Sequence, residues 1–410
     1  MSCASIAPEP AVAPPKAGLV SGNAAFHLQA SITVSLMASS SAPTPLYPLY
    51  QSLWGFTPVT TTIVFAVYAI AVLASLLVAG RLSDHVGRRP VLLTAIAVQI
   101  ATMGLFVTAQ GVGQLIAARI IQGLSTGAAV AAIGAGLLDL DKARGAVANA
   151  LTTPIGTALG ALAAGVMVQY LPHPTHLVYA LLAAVMVVQA AGVTMMAETR
   201  APRAGAWASL KPRLSLPRAT RESMLLAGPA LVAAWSIAGF YASLSPALIR
   251  GMLHTSSPLV GALGLVVLAG SAAIATLALR DKSPRVLNLV GGTLVLAGVA
   301  LALGALSLGS PTAFFAGSSL AGMGFGAGFQ GAIRSLAAAA PAHERAGVLS
   351  IAFIVSYLAM GLPAIVAGYL VTRQGDLVTT AREFGAFVAA LAIVSLASVL
   401  MRNPGRSRIG

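Results

Sequence analysis

Hydrophobic residues in this chain come in long unbroken runs, not in the alternating or amphipathic patterns of a water-soluble domain. The runs cover about residues 25–47, 58–80, 89–109, 112–136, 145–170 and 175–197, then 223–249, 258–279, 286–307, 312–335, 346–371 and 384–401. Each is close to the ~20 residues needed to cross a hydrocarbon core ~30 Å thick at 1.5 Å per residue. Backbone inside a bilayer must satisfy its own hydrogen bonds, so runs of this length predict helices, and the chain reads as an all-α membrane protein of twelve spans. Short loops in the first half predict antiparallel neighbours. The spans form two sets of six, so the expected organisation is a disordered tail over 1–24 and a first half over 25–197. A polar linker over 198–222, a second half over 223–401 and a tail over 402–410 follow.

Composition removes the soluble alternatives. Only 8% of the 410 residues are charged and 57% are hydrophobic, against about 25% charged in ordinary soluble domains. A net charge of +14 raises the question of nucleic acid, but the basic clusters lack interleaved aromatics, which excludes that partner. Membrane topology accounts for the basicity. Of the 24 Lys and Arg residues, Arg119 falls inside a span, and Arg250, Arg373 and Arg382 fall on one side. All the others share the side of the two termini, which predicts a multi-pass protein of the cytoplasmic (inner) membrane with both termini in the cytosol. The tail, with Pro8, Pro10, Pro14 and Pro15, lacks the basic start and apolar body of a signal peptide, and Cys3, the single cysteine, permits no intramolecular disulfide.

The linker from Glu198 to Glu222 carries six basic and two acidic residues and is broken by Pro202, Pro212 and Pro217. Its Trp207, Leu210 and Leu214 are spaced either to lie on an anionic lipid surface or to ride on a solvated tether. Arg144 and Gly160 at the fifth span recur as Arg345 and Gly361 at the eleventh, both at an offset of 201, as a six-helix duplication predicts.

Between the second and third spans stands Gly80-Arg81-Leu82-Ser83-Asp84-His85-Val86-Gly87-Arg88-Arg89-Pro90. Gly80 is expected to allow close helix approach, Gly87 a positive φ in a tight turn, and Arg88 and Arg89 to hold the loop in the cytosol. This loop resembles the signature of the major facilitator superfamily. The resemblance implies two pseudo-symmetric six-helix halves that rock about a midplane site. It also implies that Gly80, Asp84, Gly87, Arg88 and Arg89 gate the motion, with Asp84 pairing to nearby basic groups and the start of the eleventh helix in the outward-facing state. The run Leu115 to Gly123, with Arg119, Gln122 and Gly123, resembles the family's fourth-helix motif. An arginine at a span centre costs about 2.5–3.5 kcal/mol on insertion scales, so Arg119 must meet water, a partner or a substrate, unless it snorkels to the interface.

In the fifth span, Gly156, Gly160 and Gly165 approximate the family's antiporter motif, although Ala161 and Ala164 stand where that motif has proline and glycine. Helix packing through small residues is the other reading of these glycines, and of those in the tenth span. Gln29, Thr33 and Ser40 form a polar stripe on the first span. The resemblance places helices one, four, seven and ten around a central cavity, making Gln29 and Thr33 substrate contacts beside Arg119 and Gln122. Hydrogen bonding between helices would explain the stripe equally well. Tyr47, Tyr50 and Trp54 read as an aromatic belt at the membrane interface.

No phosphate loop, partnered nucleophile or embedded carboxylate pair is present, so neither an enzyme nor a cofactor is expected. His173 and His176 lack a carboxylate partner, so no metal site is expected either. All ten acidic residues fall in loops, tails or span ends. With Arg119 as the buried charge, the expected substrate is a small neutral or anionic amphiphile. Similarity to bacterial drug and metabolite proton antiporters implies proton-coupled efflux, with Asp84 and His27 as candidate titrating groups. A facilitator, proton-coupled uptake of a metabolite and, more distantly, a non-transporting sensor remain as rivals. A monomer is expected.

Overall fold

The computed structural model describes residues 19–212 and 214–401. Cys3, the prolines before residue 19, Arg213 and the tail from Arg402 lie outside the described residues. Twelve long helices make up the fold of the described residues. The first half holds α1 (Gly22–Ser41), α2 (Pro58–Ala79), α3 (Arg88–Val107), α4 (Val112–Leu140), α5 (Lys142–Tyr170) and α6 (Pro174–Thr194). The second holds α7 (Arg218–Ser243), α8 (Pro258–Ala278), α9 (Pro284–Leu308), α10 (Pro311–Ala339), α11 (Arg345–Gln374) and α12 (Leu377–Met401). The local sequence sets many of the starts. Ser257-Pro258, Ser283-Pro284 and Ser310-Pro311 each place a serine whose oxygen accepts a backbone N–H, followed by a proline whose missing N–H costs nothing there. Residues 22–24, assigned by pattern to the tail, form the first turn of α1, and α7 begins at Arg218, inside the expected linker.

Ten of the twelve helices are long and apolar enough individually to cross a membrane. The two that fall short are α1, with its Gln29, Thr33 and serines, and α10, rich in glycine and serine. Burial separates an inner from an outer ring: α8 is 61% and α2 and α4 are 56% buried, against 28% for α6, 33% for α9 and 17% for α12. The outer helices carry large apolar side chains on their free faces, such as Val188, Leu308 and Ile393.

Glycines set the tightest crossings, and they repeat between the halves. In the first half Gly123 and Gly127 of α4 lie on the backbone of α2, where added Cβ atoms would sit 2.6 Å from the Tyr68 carbonyl and 2.7 Å from that of Val72. In the second, Gly322 and Gly326 of α10 press in the same way on the Leu268 and Ala272 carbonyls of α8. Gly317 and Gly324 use the other face of α10 against α9. Gly156 and Gly160 seat α5 on α1, where a Cβ on Gly160 would collide with Ala38, whereas Gly165 faces α8.

The halves meet through α2 against α11 and α5 against α8. Direct hydrogen bonds between them are Thr44 Oγ1 to the Ala242 carbonyl, 2.9 Å, and Val59 N–H to Thr372 Oγ1, 3.2 Å. Both lie at the end of the bundle away from the described termini, as do the close approaches of Gly368 to Thr62 and of Gly165 to Leu259 and Ala262. At the opposite end no hydrogen bond or ion pair joins the halves among the described residues. This conformer is therefore closed at the far end.

At that far end Asp376 opens α12. Its carboxylate accepts from the Thr379 hydroxyl and from the Val378 N–H at 2.8 Å, which holds its pKa below the ordinary carboxylate value. A depressed carboxylate stabilises the fold above its unfolded pKa and loses that contribution as pH falls through the folded value. Asp376→Asn is expected to lower the unfolding temperature in detergent at neutral pH, with the difference from the native chain closing below about pH 3.8.

Candidate functional site

Arg119 is fully buried, so it does not snorkel to the interface. The segment before and within the short helix Tyr47–Trp54 explains why: Leu46, Tyr47 and Tyr50 pack among Phe106, Leu115, Met167 and Tyr179 and cover the far end of the first half. Tyr47 and Tyr50 are 2% and 1% exposed and so form no lipid-facing belt; the Tyr50 hydroxyl bonds that of Tyr179 at 3.2 Å. Beneath this cover Arg119 Nη1 donates to the Ser40 carbonyl at 3.0 Å and to Gln122 Oε1 at 2.6 Å, while its guanidinium stands 4.1 Å from the Tyr68 ring centre. Gln122 in turn donates to the Ser39 carbonyl at 3.0 Å, and Gln99 donates to Ser39 Oγ at 2.9 Å. The helical i, i+3 spacing of Arg119 and Gln122 puts both on the α4 face that meets α1.

Two guanidinium nitrogens, Nε and Nη2, have no hydrogen-bond partner, and neither do the Tyr47 hydroxyl and Thr126 Oγ1. No carboxylate lies within ion-pair distance of Arg119 among the described residues. A buried cation with spare donors and an adjoining ring can hold an anion or a strong acceptor.

A second polar centre lies at the end of the bundle that carries the described termini. Arg88 pairs with Asp84 at 2.7 Å and Asp139 at 3.2 Å, and donates to Ser83 Oγ at 2.7 Å. Glu198, just past α6, accepts the backbone N–H groups of Arg88 at 2.8 Å and Arg89 at 3.0 Å. A carboxylate on the free N–H groups of a helix start is favoured by both hydrogen bonding and the helix dipole. Gly87 makes the turn possible with φ +106°, and an added Cβ would meet Glu198 Oε2 at 2.7 Å. Gly87→Ala is therefore expected to cost about 1–3 kcal/mol and to free Glu198, read as lowered thermal stability of the purified protein.

The sequence profile of the Major Facilitator Superfamily matches residues 30–362. The chain belongs to that superfamily. No curated protein sequence matches it. Among solved structures it is similar to a POT family transporter in complex with 5-aminolevulinic acid, at 11% identity and a TM-score of 0.71, covering 91% of this chain and 95% of that one. It is also similar to a point mutant of the nucleoside transporter NupG, at 12% identity and 0.70, covering 91% and 99%. At these identities the likeness establishes the fold, twelve helices in a transporter architecture, and the family makes the chain a secondary transporter in a membrane.

In this superfamily member Arg119 and Gln122 come together, but Gln29 and Thr33 do not join them. They lie eleven and seven residues before Ser40, roughly 16 and 10 Å along α1. Gln29 packs its amide on Gly136 of α4, and Thr33 donates to the Gln29 carbonyl. Gly80 differs from expectation: the three atoms nearest its would-be Cβ all belong to Leu76, whose carbonyl it would strike, and not to a second helix. Asp84 bonds Arg88 and has no bond to α11, whose preceding Glu344 is held by Ser215 of the linker. Closure at the far end leaves the α2–α3 loop no partner on α11 among the described residues. His27 is exposed on α1.

Sequence reading also missed the wall that the second half presents at mid-depth. Trp235 of α7 packs against Phe325 and Phe329 of α10 and Tyr357 of α11, with ring centres 5.9, 5.4 and 5.1 Å away. Tyr357 also packs against the cluster that Phe65 and Ala69 of α2 form with Met360 of α11. Trp235 Nε1 lacks a partner here. Only the spacing of four between Phe325 and Phe329 hinted at this cluster.

Proposed function

We propose that the protein moves a small neutral or anionic amphiphile by alternating access, exporting it from the cytosol in exchange for protons. The observation that carries this reading is Arg119: a buried cation with two unpaired donors and no carboxylate partner, beside an aromatic wall with an unpaired donor. An anionic or acceptor-rich head would satisfy the arginine, and an apolar or aromatic body would suit the rings. Positive-inside topology makes the closed far end the outer one, so the described conformer faces the cytosol, with both termini there. Gly80, Asp84, Gly87, Arg88 and Arg89 would act in switching, with Asp84 exchanging its partner for α11 when the inner end closes. The chain acts as a monomer, without cofactor.

The lack of any mid-membrane carboxylate favours a second reading, an uncoupled facilitator, because arginine stays protonated at working pH. Proteoliposomes loaded with labelled neutral, anionic and cationic solutes, with and without a pH gradient, separate the two. Gradient-driven accumulation of an anion supports coupling, and gradient-independent equilibration supports the facilitator. A preference for cations would overturn the substrate assignment.

A further inference from the structure

The linker between the halves is tied down at two points. Near its start the Arg203 N–H donates to the His85 carbonyl at 2.7 Å, and His85 Nδ1 donates to the Ala204 carbonyl at 3.0 Å. Farther on, Ser215 Oγ donates to Glu344 Oε2 at 2.6 Å, and a Cβ on Gly347 of α11 would meet the Ser215 nitrogen at 2.8 Å. One tether is therefore the α2–α3 loop and the other the start of α11, both at the end of the bundle that carries the described termini. Between them Gly205, at φ +98°, turns the chain into the short helix Ala206–Ser209. Ser209 is buried, whereas Leu214 is 54% exposed and Trp207 is 86% exposed, the most exposed large apolar side chain among the described residues.

Depth and charge decide what meets these side chains. Trp207 is two residues from Gly205, and Leu214 is next to Ser215, so at ~3.5 Å per residue their backbones stay within about 7 Å of the tethers. The headgroup layer adds about 5–7 Å on each side of the hydrocarbon core, and tryptophan is enriched there. The N–H groups of Leu210 and Lys211 reach back to the Trp207 and Ala208 carbonyls, which continues the turn and keeps Lys211 close to the indole. Arg203, Lys211 and Arg218 are exposed, and none of them forms an ion pair among the described residues. Glu198 is already held by the N–H groups of Arg88 and Arg89, and Glu222 comes only inside α7, beside Arg221. An exposed indole at headgroup depth among uncompensated cations matches one partner, a surface of anionic phospholipid.

We infer that Trp207, Leu214, Arg203 and Lys211 anchor the linker on anionic phospholipid, in the leaflet that the topology proposed above makes the cytosolic one. The inference is independent of what the central site transports. The test is tryptophan fluorescence of the full chain in nanodiscs, with the Trp207 share obtained by subtracting the emission of Trp207→Phe. Phosphatidylglycerol brominated on its acyl chains close to the glycerol, mixed into phosphatidylcholine, quenches from the membrane, and acrylamide quenches from water. The Trp207 emission is expected to be quenched by the brominated phosphatidylglycerol and to resist acrylamide. Lys211→Gln should weaken the lipid quenching about fivefold, the factor for one basic side chain at an anionic surface. Trp54→Phe combined with Trp235→Phe removes the other two tryptophans and reads the same emission directly, should Trp207→Phe disturb them. Quenching by acrylamide in both lipids would make the linker a solvated tether, and quenching by neither agent would place the indole against protein. Equal quenching by brominated phosphatidylcholine alone would remove the anionic headgroup. Each of these three results overturns the anchor.

Discussion

Replacing Arg119 with alanine is expected to reduce transport of an anionic solute by at least about 100-fold, the factor corresponding to the ~3 kcal/mol of a buried charge-assisted contact. The loss should come from the transported species and not from the fold. Arg119 has no carboxylate partner to be stranded, so the relief of its buried charge offsets part of the about 1–3 kcal/mol cost of leaving Gln122 Oε1 and the Ser40 carbonyl without their donor, and Arg119→Ala should stay folded with at most a modest loss of thermal stability. Arg119→Lys should recover only part of the activity. A point charge keeps the attraction but cannot hold Gln122, the Ser40 carbonyl and an anion in one planar fork. Uptake into proteoliposomes, normalised to reconstituted protein, is the measurement. Unchanged anion transport in Arg119→Ala would remove the arginine from the substrate path.

The largest stability losses are expected from Gly123→Val and Gly322→Val. Each puts a branched side chain where a neighbouring backbone carbonyl already sits, that of Tyr68 in one half and that of Leu268 in the other. Overpacking typically costs about 1–3 kcal/mol, and backbone on both sides of the contact leaves little room to relax, so the upper end of that range is expected. The two variants occupy matching places in the two halves and should lose similar amounts of folded, monodisperse protein in detergent. A tolerant Gly322→Val beside a disruptive Gly123→Val would show that the repeat is one of shape only.

Much of the architecture was legible because the bilayer imposes a simple rule: length and hydropathy give the spans, and serine-proline pairs give many of their starts. What was hard to read follows from the same chemistry. Tyr47 and Tyr50 sit where an interfacial belt would be in a straight extension of α1, and only their packing among Phe106, Leu115, Met167 and Tyr179 buries them. Arg119 with Gln122 was recoverable because residues three apart on one helix share a face. Their partners Ser40, Ser39, Gln99 and Tyr68 come from three other helices, whose rotation the sequence does not encode locally. Gln29 and Thr33 share the polar face of α1 with Ser40, but helical rise carries them to another depth. Trp235, Phe325 and Tyr357 lie in three separate apolar spans, and apart from the spacing of Phe325 and Phe329 nothing in one dimension marks them as neighbours.

The unpaired guanidinium also makes the carrier a voltage-sensitive device. Moving one elementary charge through the whole membrane potential is worth about 2.3 kcal/mol per 100 mV, and a rocking motion that re-aims access to Arg119 moves its charge through a part of that field. In the exchange proposed above, the limb that holds a monoanion crosses as a neutral pair, whereas the proton-returning limb crosses with the positive charge of Arg119 exposed. A negative-inside potential would then act on the return limb of the proposed cycle and leave the anion-loaded limb nearly untouched.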